Sequence, residues 1–361
     1  MAKSSSSAAP RYNFASGPAA LPPEVLAEGQ EALTDCLGTG LSILELPFSG
    51  PDFTRILTAA EQSLRHLLRL PETYRVLFLQ GGASAHFAYV AQNLAAPADC
   101  AEYVVTGLWS RRAAAEAARY CRVRVVAEGR DAPPPEAVWD RAPGSAYCHI
   151  TTNETADGLQ YHWLPAAGDV PLVADMSADL LTRPLEVERF GLIYASAQKN
   201  LGIAGLTLVI VRQDLLHRPC AGAPAVFDYA RQAENRSKVN TPPTFAIFMA
   251  GAMLRWMERR GGLEALAEEN RRKAEVLYGA IDRGGYYSCP VAAGSRSLVN
   301  VCFRLPTPDL EARFLAEAAG RGLLNLQGHP AVGGIRASLY NPLPGEAAEA
   351  LAAFMDRFRR S

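Results

Sequence analysis

The sequence carries no imbalance of charge. Its 36 lysines and arginines stand against 37 acidic residues over 361 positions, a net charge of −1. That removes the electrostatic footprint expected of a nucleic-acid or anionic-membrane binder. It has no apolar run near the about 18–20 residues that a bilayer crossing needs; the longest, Phe245 to Leu254, spans ten. It lacks both CxxC and HExxH. The seven cysteines (36, 100, 121, 148, 220, 289 and 302) are odd in number and scattered, and the six histidines are equally dispersed. Disulfide frameworks, thiolate clusters and metal catalysis are therefore not expected, and the cysteines read as small core residues. The opening MAKSSSSAAPR has no apolar h-region and reads as a disordered tail over residues 1–11, not as a signal peptide. A cytoplasmic enzyme is the expectation. Lysine is the last scarcity: Lys3, Lys199, Lys238 and Lys273 are all there are among the 36 basic residues.

What is present is a large apolar fraction, 49%, enough for a sizeable core and, at this length, for two domains. Short β-branched runs alternate with alanine-rich helical stretches: RVLFLQ (75–80), EYVVT (102–106), VRVVA (123–127), AYCHIT (146–151), PLVAD (171–175), GLIYAS (191–196) and LTLVIV (206–211). Strands apolar throughout and interleaved with helices predict an α/β fold with a mostly parallel sheet covered on both faces. After Trp256 the pattern changes to long amphipathic helices around RSLVNVCFRL (296–305), which predicts a smaller α+β domain. The expected division is a large domain over 12–262 and a small one over 263–361, parted at Gly261-Gly262. DAPPPEA (131–137) reads as a surface connection.

Ligands of such sheets bind beyond the carboxyl ends of the strands, so the residues just past each strand matter most. Asp175 ends PLVAD, and Lys199 follows GLIYAS with Gly202 and Gly205 behind it. A desolvated lysine is a usable amine nucleophile, and a buried carboxylate can pair with a protonated pyridine nitrogen. The spacing alone fits equally a turn-capping acid and a surface lysine. QGGASAHF (80–87) follows a strand and opens a helix, where backbone N–H groups and the Ser84 hydroxyl can meet a phosphate. Trp109, past EYVVTGL, can stack on a ring or simply fill core. Asn153 and Thr155 of TTNETADG offer an amide and a hydroxyl to a cofactor oxygen, or else cap a turn. Arg336 in GGIRASLYNP has the fork that clamps a carboxylate, or that forms a structural salt bridge. His86, His149 and His217 read as structural.

Together, NFASGPAALP (13–22), NETADG (153–158), the VADMS…GLIYASAQKN…AGLTLVIVR block, NTPPTF (240–245) and GHPAVGGIRASLYN (328–341) closely resemble the phosphoserine aminotransferase family, pyridoxal phosphate enzymes of fold type I. The likeness runs over nearly the whole chain. It implies that Lys199 is the Schiff-base lysine and proton shuttle and that Asp175 holds the pyridine nitrogen protonated. Trp109 would stack on the ring, Thr155 would bond its phenolic oxygen, and Ala83, Ser84 and Gln198 would hold the phosphate. Asn240 and Thr241 would reach that phosphate from a neighbouring subunit, which implies a homodimer with shared active sites. Arg336 would clamp the substrate α-carboxylate. The substrates implied are a small amino acid and a 2-oxo acid, exchanged in a ping-pong reaction.

Two places depart from the family. Where it has a His-Arg pair that reads the substrate's distal anion, SILELPFSGPDF (42–53) has Phe48 and Ser49, and the second His-Arg pair is here His329-Pro330. Losing two arginine contacts costs about 3–6 kcal/mol toward a dianion, so the expected substrate is a neutral or apolar amino acid unless a neighbour such as Arg55 fills the gap. The alternatives are genuine phosphoserine:2-oxoglutarate transamination and a different pyridoxal phosphate reaction, elimination or retro-aldol cleavage.

Overall fold

The computed structural model describes residues 10–166, 168–218 and 222–361. All but the last two residues of the expected tail, and Cys220, lie outside them. Seven strands form the central sheet in the order Tyr74–Leu79, Thr207–Arg212, Leu192–Ser196, Leu172–Asp175, Cys148–Thr151, Cys100–Val105 and Arg122–Glu128. Thr207–Arg212 runs antiparallel to both neighbours and the other pairings are parallel. The three middle strands, Cys148–Thr151, Leu172–Asp175 and Leu192–Ser196, are buried at every residue. That is the burial their uninterrupted apolar sequences require, since helices cover both faces.

Register brings the chemistry-bearing strand ends together. Thr151 pairs with Asp175, and Asp175 with Tyr194, so three neighbouring strands finish along one edge. The apolar run at 245–254 becomes the interior of helix Thr244–Arg259, buried from Ala246 to Leu254. A helix apolar all round belongs in a core. Against it packs helix Pro51–Leu68, which starts on Pro51, buries Phe53, Ile56, Leu57, Ala60, Leu64 and Leu68 on one stripe, and stops at Arg69 with φ +51°. No helix among the described residues is long and apolar enough to cross a membrane.

A second apolar cluster surrounds the antiparallel pair Asn300–Phe303 and Ile335–Ser338, with helices Pro308–Gly320 and Gly345–Phe358. Helix Gly262–Asp282 bridges the two cores, giving Leu263 and Leu266 to the first and Ala274, Leu277 and Ile281 to the second. Residues 12–14, expected with the large domain, pack into the second cluster. Tyr12–Asn13 pairs in parallel with Leu323–Leu324, and Phe14 is fully buried there. A two-residue strand whose partner lies 311 residues later leaves no local signature. The 131–137 connection also lies deeper than expected, because Pro133 and Pro134 are buried and the Pro134 carbonyl accepts from Trp139 Nε1 at 3.0 Å.

Candidate active site

Asp175 is the last residue of its strand and is 4% exposed. Its Oδ1 accepts the Ser177 N–H at 2.9 Å. Burial raises its pKa, while the Ser177 contacts and the charge of Lys199 pull the other way. Lys199 lies three residues past strand Leu192–Ser196 and donates from Nζ to Thr155 Oγ1 at 2.6 Å. Burial lowers its pKa to about 8 against the opposing pull of Asp175, and Arg336 adds to the lowering. An amine at about 8 is part neutral under ordinary conditions and so part nucleophile. The other described lysines are engaged: Lys273 Nζ donates to the carbonyls of Leu339, Tyr340 and Leu343, and Lys238 Nζ to Thr54 Oγ1.

The N-terminal motif lies on this lysine's loop. Ala19 N–H donates to the Gln198 carbonyl at 2.9 Å, and a Cβ at Gly17 would sit 3.4 Å from Gln198 Cγ and 3.5 Å from Lys199 Cγ. Gly17 has φ +133°, so glycine satisfies both the close approach and the backbone.

Helix Gly82–Leu94 begins beside Lys199 without a side-chain cap. Gly81 and Gly82, at φ +100° and +68°, turn the chain so that first-turn N–H groups face outward and Ser84 is exposed. Ala83 N–H is already taken, donating to Ser196 Oγ at 2.7 Å. Ser196 N–H in turn donates to Ser177 Oγ at 3.0 Å. Ser177 and Ser196 thus link Asp175 to the start of the helix. Neither serine was singled out in the sequence, although Ser177 follows the strand ending at Asp175 and Ser196 ends the next one.

Trp109 stands at the start of helix Leu108–Ala117. Two acids of the hairpin Asn153–Glu154/Leu159–Gln160 and its turn hold that helix end. Glu154 accepts the N–H groups of Trp109 at 2.8 Å and Ser110 at 2.9 Å and the Ser110 hydroxyl at 2.6 Å; Asp157 accepts Leu108 N–H at 3.1 Å. A Cβ at Gly107 would lie 2.6 Å from both carboxylate groups, so only glycine fits. Burial pushes the fully buried Glu154 up to about 7 despite those donors. Trp109 Nε1 is buried with no partner. The His329 ring lies edge-on at 5.8 Å from the indole, and the Arg112 guanidinium lies 5.1 Å from the ring centroid.

The same hairpin reaches the small domain. Arg336, 9% exposed on strand Ile335–Ser338, donates from Nη1 to the Thr155 carbonyl at 3.3 Å. Asn153 does not face a cofactor oxygen as expected. Its amide donates to Asn300 Oδ1 at 2.8 Å and its Oδ1 accepts from the Ser297 hydroxyl at 2.5 Å, so its hydrogen-bonding capacity is spent tying the hairpin to the C-terminal layer. His86 and His149 are buried, bonded to tyrosine hydroxyls, and burial lowers them to about 4 and about 3.

Contacts therefore link Thr155 with Lys199 and Arg336, Trp109 with His329, and, through Ser177 and Ser196, Asp175 with Ala83, while Gln198 adjoins Lys199. The fold leaves four expected residues elsewhere. Asn240 and Thr241 are exposed before helix Thr244–Arg259, with the Thr241 carbonyl accepting from Gln80 Nε2 at 3.4 Å. Phe48 packs against the large core and Ser49 is exposed. Among the described residues no recorded contact joins these four to Lys199. Arg55 pairs with Asp52 at 2.7 Å.

This crevice suits pyridoxal phosphate in its donor chemistry. An uncapped helix start could take the phosphate, the buried Asp175 could pair with the pyridine nitrogen, and the orphaned Trp109 N–H and the part-neutral Lys199 amine add a donor and a nucleophile. Among the described residues no cluster of His, Cys, Asp and Glu could hold a metal ion.

The family Aminotransferase class-V matches residues 11–351. A phosphoserine aminotransferase of Laribacter hongkongensis is 49% identical over 354 residues, covering 97% of this chain and 98% of that protein. Among solved structures, a phosphoserine aminotransferase from Bacillus circulans subsp. alkalophilus superposes with a TM-score of 0.95 at 42% identity, over 97% of this chain and 99% of its own. The pyridoxal-phosphate-bound phosphoserine aminotransferase of Trichomonas vaginalis gives 0.93 at 36% identity, over 96% of this chain and 100% of its own.

Proposed function

This chain belongs to the aminotransferase class-V family and is a pyridoxal-phosphate-dependent aminotransferase of fold type I, and we propose that it transfers the amino group of O-phosphoserine to 2-oxoglutarate. The observation that carries this reading is the convergence of His329 and Arg336 on the Trp109–Thr155 side of Lys199. The Arg336 guanidinium supplies a fixed positive charge there and the His329 ring a hydrogen-bonding edge, which suit a substrate with acidic groups. Relatives bearing the name phosphoserine aminotransferase along the full length support it.

Pyridoxal phosphate, when bound, supplies the electron sink that lets an amino acid give up its α-proton and exchange amine for carbonyl. The chain's own residues do the rest. Lys199 anchors the cofactor and carries the proton, its lowered pKa making both roles available near neutral pH. Asp175 would keep the ring nitrogen protonated; burial raises its pKa, and a protonated ring nitrogen beside it would favour its charged form. Ala83, Ser84 and Gln198 would hold the phosphate, Trp109 would stack on the ring, and Thr155, whose hydroxyl accepts from Lys199 Nζ at 2.6 Å, would bond the phenolic oxygen. Arg336, carried in by the 263–361 domain, receives the α-carboxylate.

We also propose a homodimer. Leu26, Leu33, Leu37, Leu41 and Leu44 are 42–64% exposed within one stretch leading to Phe48, an apolar surface that a second copy would cover. Asn240 and Thr241, exposed in one chain, would complete its partner's phosphate site.

A second reading is supported by Phe48, Ser49 and Pro330. Phe48 is engaged with the core and the exposed Pro330 offers no donor, which favours a neutral amino-acid donor. The deciding experiment compares kcat/KM for O-phosphoserine with those for neutral amino acids. A clear preference for O-phosphoserine supports the first reading; a preference for neutral donors establishes the second.

A further inference from the structure

With Phe48, Ser49 and Pro330 in place of three anion-gripping residues, and Arg55 held by Asp52, an O-phosphoserine enzyme needs another cation for the phosphate. Arg112 is in the right place. It lies one turn beyond Trp109 on helix Leu108–Ala117, at the i,i+3 spacing that puts both on one face. Its guanidinium stands 5.1 Å from the indole centroid. Its charge reaches His329, whose pKa is lowered by burial first and then by Arg336 and Arg112. Arg336, which donates from Nη1 to the Thr155 carbonyl at 3.3 Å, is already assigned to the α-carboxylate, and the adjacent Arg111 turns away to Glu128 at 3.5 Å. Arg112 has no carboxylate within ion-pair distance among the described residues. The nearby acid, Asp157, is occupied with the Leu108 N–H.

We propose that Arg112 is the specificity-determining residue for the substrate's distal anion, taking over the charge that the Arg-to-Ser49 and Arg-to-Pro330 departures remove. This rests on the O-phosphoserine reading above. A guanidinium steadied by an aromatic ring keeps its N–H fork for a phosphate or carboxylate. The His329 ring, edge-on to the same indole at 5.8 Å, borders that side and adds a hydrogen-bonding edge. Arg336 then serves the α-carboxylate while Arg112 serves the far end of the substrate, so two guanidinium groups frame one short dianionic amino acid.

The test is the first half-reaction alone, followed by the loss of cofactor absorbance in single turnovers, with O-phosphoserine and with alanine as donors. The proteins are the parent, R112A, R112K and R112A/P330R. In R112A the O-phosphoserine to alanine ratio should fall about 10- to 150-fold, the value of one charge-assisted hydrogen bond. The loss should appear in the apparent binding constant more than in the limiting rate. R112K should recover part of it, and P330R, which restores a guanidinium beside His329, should recover more. If the parent prefers O-phosphoserine and R112A keeps the ratio, Arg112 is not the anion contact and the functional reading survives. If the parent does not prefer O-phosphoserine, the functional reading fails and this assignment fails with it. Arg112 is exposed, so R112A should fold; its visible absorbance and Tm, compared with those of the parent, check that the cofactor is loaded in both.

Discussion

Glu154 accepts the main-chain N–H of Trp109 at 2.8 Å, so a buried acid on one hairpin fixes the start of the helix that carries the indole. The next residue on that hairpin, Thr155, bonds both Lys199 and Arg336. Trp109, Lys199 and Arg336 are thereby all tied to one short piece of backbone. In Glu154→Gln an NH2 group replaces one of two oxygens that face only donors. Stability should fall by about 2 kcal/mol, and apoenzyme affinity for pyridoxal phosphate should fall in parallel. Thermal denaturation of the apoenzyme and a cofactor titration read the two effects. An unchanged titration in a destabilised variant would confine Glu154 to a folding role.

Much of this site was legible before the fold was known, for a physical reason. Asp175 and Lys199 end or follow strands whose apolar runs announce themselves, and parallel sheets place ligands at those ends. Glu154 was not legible, because an acid's value at a helix start depends on which helix arrives there, 45 residues away in sequence. Asn153, open between a cofactor contact and a turn cap, could not be placed for the same reason: an amide in a turn has no visible partner until Ser297 and Asn300 are brought to it. The Asp175–Ser177–Ser196–Ala83 chain links three segments through serines that look ordinary one at a time. Arg112 was hidden among the arginines that this sequence uses almost everywhere in place of lysine.

Lys199 should set the pH dependence of cofactor loading. Burial holds its amine at about 8, below the 10.5 of a free lysine. A lowered amine pKa means that the neutral, reactive form grows as pH rises through about 8 and is scarce well below it. Reconstitution of the apoenzyme with pyridoxal phosphate should therefore quicken with a midpoint near 8. Borohydride should then fix the cofactor on the Lys199 peptide. Label on the Lys238 or Lys273 peptide would overturn the assignment.

Lys273 offers a contrasting use of a buried lysine. Its Nζ lies 2.9–3.1 Å from three main-chain carbonyls in residues 339–343, just past the strand that carries Arg336. Asn341 in the same segment donates its N–H to Asn200 Oδ1 at 3.1 Å, next to Lys199, and accepts from Asn270 at 2.8 Å. Lys273→Met keeps the stem but leaves those carbonyls without their donor. It should cost about 3 kcal/mol or more, since each buried acceptor left unmade costs about 1–3 kcal/mol. Denaturant unfolding measures this directly. A midpoint equal to that of the parent would show that water replaces the ammonium group.

The last prediction concerns the shared site. Asn240 and Thr241 lie in NTPP, ahead of helix Thr244–Arg259, where both are exposed while Pro242 is buried and anchors the segment. Within one chain nothing recorded brings them to Lys199. If they complete the phosphate site of a second copy, a subunit lacking Lys199 can still lend its Asn240 and Thr241 to a partner that keeps its own lysine. Lys199→Ala homodimers should be inactive, and Asn240→Ala/Thr241→Ala homodimers should hold the cofactor weakly. Exchange between the two should yield heterodimers with one intact site, up to half the parental activity per heterodimer. Leu37→Glu/Leu44→Glu, which charges the exposed leucine surface, should shift the sedimentation velocity peak toward the monomer and remove that recovery. Subunit exchange shown by mass spectrometry without any regained activity would mean that each chain builds its phosphate site alone.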